Sequence, residues 1–339
     1  MGSYKILIVG AGAIGCTIGA RLQKAGYGVF FALRDGKEPQ KVTVSLFESN
    51  QVETISPDKF IYNSQLTNEF DLIIVTVKSY DTPVIIDLLN KAVKPACLIL
   101  TMQNGIGNEE YLENYFSEKQ VIGGTITTSV SQKEANLFLE ETRGGIGIAT
   151  LNPQVKKIFQ EAGYRVAIYQ DYHSLKWSKL LLNIWGNGTS AILDMDVSLV
   201  FSDKELFHIE YGIFKEALWV IKALRIPLFN LPGYPVKYMN IIPFLGENIV
   251  QKIFYRSFSQ GRGSKKTSIR LDLLSEKGKT ESPYLFGKVA QFGDLLGVYT
   301  PANRLVDTII GSIARKEVEW DKFRWKKENL ITYFRDILF

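Results

Sequence analysis

The sequence predicts an α/β, Rossmann-type amino-terminal domain followed by a mainly α-helical carboxy-terminal domain. Three observations carry this prediction. An apolar strand opens onto glycines at G-x-G-x-x-G spacing between Gly10 and Gly15, further short and continuously apolar runs follow up to residue 101, and strand patterns almost vanish after Asp171 in favour of long helical ones. At 339 residues the chain exceeds the size at which one core keeps growing, so two domains are expected, at 1–170 and 171–339.

Residues 4–9 read as the first strand. In the turn Gly10-Ala11-Gly12-Ala13-Ile14-Gly15, Gly10 permits the tight bend and Gly12 lets the backbone approach a pyrophosphate. Gly15 lets the following helix pack against the strand, and the helix start offers free N–H groups to phosphates. These six residues form the candidate cofactor-binding turn. Residues 28–33 read as the second strand, with Arg34 just past its end and Asp35 next. An arginine there accommodates the 2′-phosphate of NADP, whereas an acid binds the ribose 2′-OH of NAD. Arg34 stands first and Lys37 adds positive charge, which favours NADPH; Asp35 as a ribose ligand is the alternative.

Residues 71–77 and 96–101 are apolar on both faces, as strands inside a parallel sheet covered by helices are. Residues 81–92 and 108–116 supply crossover helices. From 121 to 149 the pattern turns rich in Thr, Ser and Gly, which predicts antiparallel strands extending the sheet edge. A helix over 153–163 and a strand over 164–169 close the domain. Beyond it, helices are expected over 172–190, 205–224, 269–274, 284–296 and 301–316, with an irregular Pro- and Tyr-rich connection over 227–243.

A nucleotide-binding half establishes no reaction, so the chemistry must lie elsewhere. In the helix predicted over 172–190, Lys179, Asn183 and Asn187 stand four residues apart and share one face, within a segment otherwise rich in Leu, Ile and Trp. One ammonium and two amides suit a substrate with a ketone and a carboxylate: lysine gives a proton to oxygen as hydride reaches carbon, and the amides orient it. A solvated polar stripe is the alternative reading of the same spacing.

Composition narrows the function class. A net charge of +5 with scattered Lys and Arg argues against a nucleic-acid groove and fits an anionic small molecule. Two cysteines, two histidines and no C-x-x-C indicate buried reduced thiols and no metal site. With no apolar run long enough to span a membrane and no cleavable leader, a cytoplasmic enzyme is expected. The apolar run 218–228 could supply a homodimer surface.

Taken together, Gly10-Ala-Gly-Ala-Ile-Gly15, Val75-Thr-Val-Lys78-Ser-Tyr-Asp81-Thr82, Gln103-Asn104-Gly105, Trp177-Ser-Lys179 with Asn183 and Asn187, and Thr300-Pro-Ala-Asn303 resemble the ketopantoate reductase family, in the family's order and over nearly the whole chain. The resemblance implies NADPH-dependent reduction of 2-dehydropantoate to (R)-pantoate, on the route to pantothenate and coenzyme A, with cofactor and substrate meeting in a cleft. It also implies that Lys179 is the catalytic proton donor and that Asn183 and Asn187 bind substrate. Lys78 and Asn104 would lie near the nicotinamide, and Arg34 would face the 2′-phosphate. Thr267 and Ser268 match the hydroxyls that hold the substrate carboxylate, and Glu281 matches the glutamate at the reacting centre. This chain departs from the family pattern around these last residues: a threonine replaces the first serine, the spacing from Asp272 to Glu281 is longer, and Lys265, Lys266 and Arg270 crowd the segment. Reduction of another 2-keto acid, or a cofactor-sensing protein without catalysis, are the alternatives.

Overall fold

The computed structural model describes residues 4–47, 51–261 and 266–338. The chain divides into two compact units, one of residues 1–176 with 230–234, the other of 177–229 with 235–339. The first contains β1 (Lys5–Val9), α1 (Ala13–Lys24), β2 (Gly28–Leu33), β3 (Val42–Ser45), β4 (Val52–Ile55), β5 (Phe60–Tyr62), β6 (Leu72–Val75), α2 (Ile86–Ala92), β7 (Leu98–Thr101) and α3 (Asn108–Glu113). It continues with β8 (Val121–Ile126), β9 (Val130–Glu134), β10 (Leu137–Glu140), β11 (Gly145–Ile148), α4 (Pro153–Glu161) and β12 (Arg165–Ile168).

Eight strands form the main sheet in the order β12-β11-β8-β7-β6-β1-β2-β5. From β8 to β5 every neighbouring pair is parallel; β11 pairs antiparallel with β8 and β12 parallel with β11, so these two edge strands run against the other six. Alternation along the central strands divides the core. Ile6, Ile8, Leu72, Ile74 and Leu100 pack with Ile18 and Leu22 of α1 and Ile158 of α4, while Leu7, Val9, Ile73, Val75 and Ile99 pack with Ile86 and Leu89 of α2 and Leu112 of α3. Strands covered on both faces need continuous apolar sequence, which is what β1, β6 and β7 carry.

Two expectations for this unit need correction. The Thr/Ser/Gly-rich stretch does not simply extend the sheet edge. β8 is an internal parallel strand, and β9 and β10 leave the main sheet for a second one, ordered β4-β3-β10-β9. The crossover expected as one helix over 81–92 starts as a 3-10 turn, Ser79–Ile85, and becomes α2 only afterwards. Pro83 lies inside that turn and has no N–H to give an α-helical ladder.

The second unit is helical: α5 (Tyr172–Ile184, whose first turn belongs to the first unit), α6 (Asn187–Leu193), α7 (Val197–Ser202), α8 (Lys204–Ala223), α9 (Glu247–Gly261), α10 (Ser268–Leu274), α11 (Phe286–Leu296), α12 (Pro301–Ala314) and α13 (Lys327–Leu338). The expected connection over 227–243 is a bridge between Leu231 and Tyr234 followed by a 3-10 segment, Val236–Phe244. α8 is the hub. Asp203 caps it by accepting from Glu205 N and Leu206 N, and its face is buried from Leu206 to Ile221. Within the run 218–228, Leu218, Val220, Ile221 and Leu228 are buried in the chain's own core, while Trp219 stays 45% exposed.

The helix expected over 172–190 is broken. α5 stops at Ile184, Gly186 adopts φ +68°, and α6 starts at Asn187. A side chain on Gly186 would also collide with Val197, its Cβ falling 2.5 Å from Val197 Cγ1. Asn187 therefore does not continue the face of Lys179 and Asn183; it opens a new helix.

Candidate active site

The sheet brings the amino-terminal candidates to one edge. Gly10 follows β1, Arg34 follows β2, Lys78 lies just beyond β6 and Asn104 just beyond β7, and these are adjacent parallel strands ordered β7-β6-β1-β2. Open α/β sheets bind ligands at carboxyl strand ends, where neighbouring crossovers diverge. Gly10 has φ +116°, and a Cβ there would lie 2.6 Å from Val77 N. Thr76 Oγ1 donates to the Gly10 carbonyl at 2.7 Å, and a Cβ on Gly15 would fall 2.0 Å from that carbonyl oxygen. The turn and the helix are thus locked together by atoms that tolerate no side chain.

Gly12 behaves differently. It is the residue preceding α1, no side chain caps the helix, the first turn holds no acid, and no atom lies within 4 Å of where its Cβ would be. Open space over uncapped N–H groups at the positive end of a 12-residue helix fits a dinucleotide pyrophosphate. Ala13 and Ile14 form the first helical positions. Arg34 is 74% exposed, with Nη2 3.7 Å from Asp81 Oδ2. Asp35 instead points to Ser64, accepting from its hydroxyl and from its N–H at 3.3 Å, and that hydroxyl holds the carboxyl below its ordinary value.

Lys78 precedes the 3-10 turn, and the Asn104 carbonyl accepts from Ser79 Oγ at 2.8 Å and from Asn108 Nδ2 at 3.0 Å. Behind these sits a buried network that sequence reasoning missed. Gln103 Nε2 donates to the Val77 carbonyl and to Thr82 Oγ1, at 3.1 and 2.8 Å. Lys176 Nζ donates to the Gln103 carbonyl at 2.8 Å and pairs with Glu109 Oε1 at 2.7 Å; the two side chains are 3% and 1% exposed. A lysine between Leu175 and Trp177 in an apolar helix was the only signal.

In the second unit Lys179 and Asn183 stand half-buried one turn apart on α5. Asn187, buried at the start of α6, joins the segment expected to hold a carboxylate. Its Nδ2 donates to Ser268 Oγ and its Oδ1 accepts from Ile269 N, both at 3.2 Å. Thr267 Oγ1 is buried with no hydrogen-bond partner, which leaves a hydroxyl for a ligand. Glu281 is buried, and its N–H donates to Asp272 Oδ2 at 3.1 Å. α10 thus holds Ser268 at one end and, through Asp272, Glu281 at the other.

Arg270 does not crowd that segment. It is buried against Asp194 and Asp196, with Nε 2.6 Å from Asp194 Oδ1 and Nη1 2.8 Å from Asp196 Oδ1, so its charge is spent on the loop after α6. Lys266 is exposed, and Lys265 lies outside the described residues. Asn303 is structural: Glu216 accepts from Ala302 N and Asn303 N at 2.9 Å, capping α12, while Asn303 Nδ2 donates to the Ile213 carbonyl. Cys16 and Cys97 are buried free thiols, pushed up by burial to about 12 and about 11. Among the described residues no cluster of His, Cys, Asp or Glu is placed to hold a metal ion, and no helix is long and apolar enough to cross a membrane.

Two family models match, described as ketopantoate reductase PanE/ApbA over residues 6–153 and its C-terminal counterpart over 171–314. A 2-dehydropantoate 2-reductase of Archaeoglobus fulgidus is 25% identical over 317 residues, covering 91% of this chain and 97% of its own length. Among solved structures, a ketopantoate reductase from Ralstonia eutropha superposes with a TM-score of 0.76 at 23% identity, covering 92% of this chain and 99% of that one. A ternary structure of D-mandelate dehydrogenase with NADH and anilino(oxo)acetate gives 0.77 at 19% identity, with 92% and 98% covered.

Proposed function

The chain belongs to the ketopantoate reductase family and is an oxidoreductase with an NAD(P)-binding Rossmann fold, and on that premise we propose that it reduces 2-dehydropantoate to (R)-pantoate with NADPH, in pantothenate and coenzyme A biosynthesis. In this reading residues 1–170 hold the nucleotide and 171–339 hold the keto acid. The pyrophosphate lies over Gly10, Ala11, Gly12, Ala13, Ile14 and Gly15, Arg34 faces the 2′-phosphate, and Lys78 and Asn104 flank the nicotinamide. The capture of Asp35 by Ser64 supports Arg34, rather than Asp35, as the group that meets the ribose.

The reduced nicotinamide, when bound, supplies a hydride to the keto carbon. Lys179 gives the proton that the carbonyl oxygen needs as it becomes a hydroxyl, and Asn183 orients that oxygen. Asn187, Thr267 and Ser268 hold the carboxylate, and Glu281 stands at the reacting centre. The observation that carries the reading is the bond between Asn187 and Ser268. Residues 81 apart in sequence are joined so that an amide and two hydroxyls gather in the unit that also bears Lys179.

The test is NADPH oxidation with ketopantoate, beside a panel of other 2-keto acids. Lys179→Ala should lower kcat by about 10²-fold or more while NADPH affinity stays within about threefold. An unchanged kcat removes Lys179 from the chemistry, and preference for another member of the panel replaces the substrate.

A further inference from the structure

The break between α5 and α6 has a visible cause outside both helices. Glu210, in the second turn of α8, is 1% exposed and places Oε2 2.7 Å from Gly186 N, accepting the N–H that a continuous helix would have given to the carbonyl four residues back. Among the described residues no cation pairs with it. Ring contacts wall in the adjoining Trp185, which stacks on Phe207, Phe214 and Phe254. A carboxylate in such a place costs stability, and the geometry it secures is that of the next residue: Gly186 turns at φ +68° and Asn187 starts α6 with its amide on Ser268 and Ile269.

We infer that Glu210 is a positioning residue for the keto-acid site: by accepting the Gly186 N–H it fixes the α5–α6 break, and with it the direction of the Asn187 amide toward Ser268. This rests on the assignment of Asn187 and Ser268 to substrate carboxylate binding proposed above. It assigns a role in substrate affinity to a side chain that touches no substrate. Burial pushes its carboxyl up to about 7, against the Thr189 hydroxyl and the Gly186 and Thr189 N–H groups, which pull it down but do not replace a counter-ion.

Two substitutions separate this role from mere core filling. Glu210→Gln keeps an oxygen acceptor at the same reach, and Glu210→Leu fills similar space with no acceptor. The leucine variant should raise KM for the keto acid about tenfold, the worth of one buried hydrogen bond, with kcat and KM for NADPH within about twofold. The glutamine variant should stay within about threefold of the parent. If Glu210→Leu does not fold, Glu210→Asp, one methylene too short for Gly186, takes its place with the same expectation. Hydrogen exchange at Gly186 and Asn187 in the unliganded protein is read alongside and should quicken about tenfold in the variant lacking the acceptor but not in Glu210→Gln. Equal effects on both KM values, a loss confined to kcat, or no change overturn the inference. If the parent reduces no 2-keto acid, the proposed activity fails instead, and the exchange rates alone decide whether Glu210 holds the break.

Discussion

Glu210→Gln should also reverse a pH-dependent cost in the fold, and its size follows from the site. In the unfolded chain this carboxyl titrates near 4.5, and in the folded chain burial pushes it to about 7. Between those values the folded state binds more protons than the unfolded one, so stability falls as pH rises through the window. The sign is opposite to that of a carboxylate held low by a salt bridge. One pH unit is worth about 1.4 kcal/mol, so the full gap is about 3 kcal/mol, absent below the ordinary carboxylate range and complete above about 7. A glutamine carries no such ionisation. The stability of Glu210→Gln relative to the parent should therefore rise by about 2–3 kcal/mol from pH 5 to pH 8. Urea unfolding followed by tryptophan fluorescence is the assay, since all five tryptophans lie at or beyond residue 177, in the unit that holds Glu210. Glu216 and Asp307, also raised by burial, push the parent in the same direction but are shared by the variant and cancel in the difference. A difference flat to about 0.5 kcal/mol across the window would refute the argument that a desolvated carboxylate holds the Gly186 N–H.

Two further outcomes test the amino-terminal unit. Lys176→Met strands the Glu109 carboxylate in the core and should cost about 3–5 kcal/mol in urea unfolding, most of it recovered in Lys176→Met/Glu109→Gln; equal losses in single and double variants would show that the pair is not coupled. Arg34→Gln should lower the ratio of kcat/KM for NADPH to that for NADH by about tenfold, through loss of a charge-assisted contact to the 2′-phosphate, and an unaltered ratio would remove Arg34 from the nucleotide site.

What the sequence disclosed, and what it hid, divides by the range of the forces involved. β1, β6 and β7 were legible because a strand covered on both faces must be apolar at every position. The glycine turn was legible because its spacing directly after an apolar strand is a local pattern, although the atoms that forbid a side chain on Gly10 belong to Thr76 and Val77, more than sixty residues away. The second sheet was hidden, since β3 and β10 are four-residue strands that find each other across more than ninety residues, and nothing local marks them as partners. Arg270 read as crowding the carboxylate-binding segment because its partners, Asp194 and Asp196, lie more than seventy residues upstream. The α5–α6 break lies between these cases. Apolar periodicity runs on through Ile184 and Trp185, yet Gly186 followed by Asn187 and Gly188 is a stop signal of ordinary strength that could have ended the helix. The sequence could not show why the chain then turns rather than frays, because the acceptor that decides it, Glu210, arrives from α8 and reads in isolation as one more charge on an amphipathic helix. The spacing of the candidate site thus became readable only to the extent that one helix carried it: Lys179 and Asn183 share a face by their own periodicity, whereas Asn187 follows a break held by Glu210, twenty-four residues beyond Gly186.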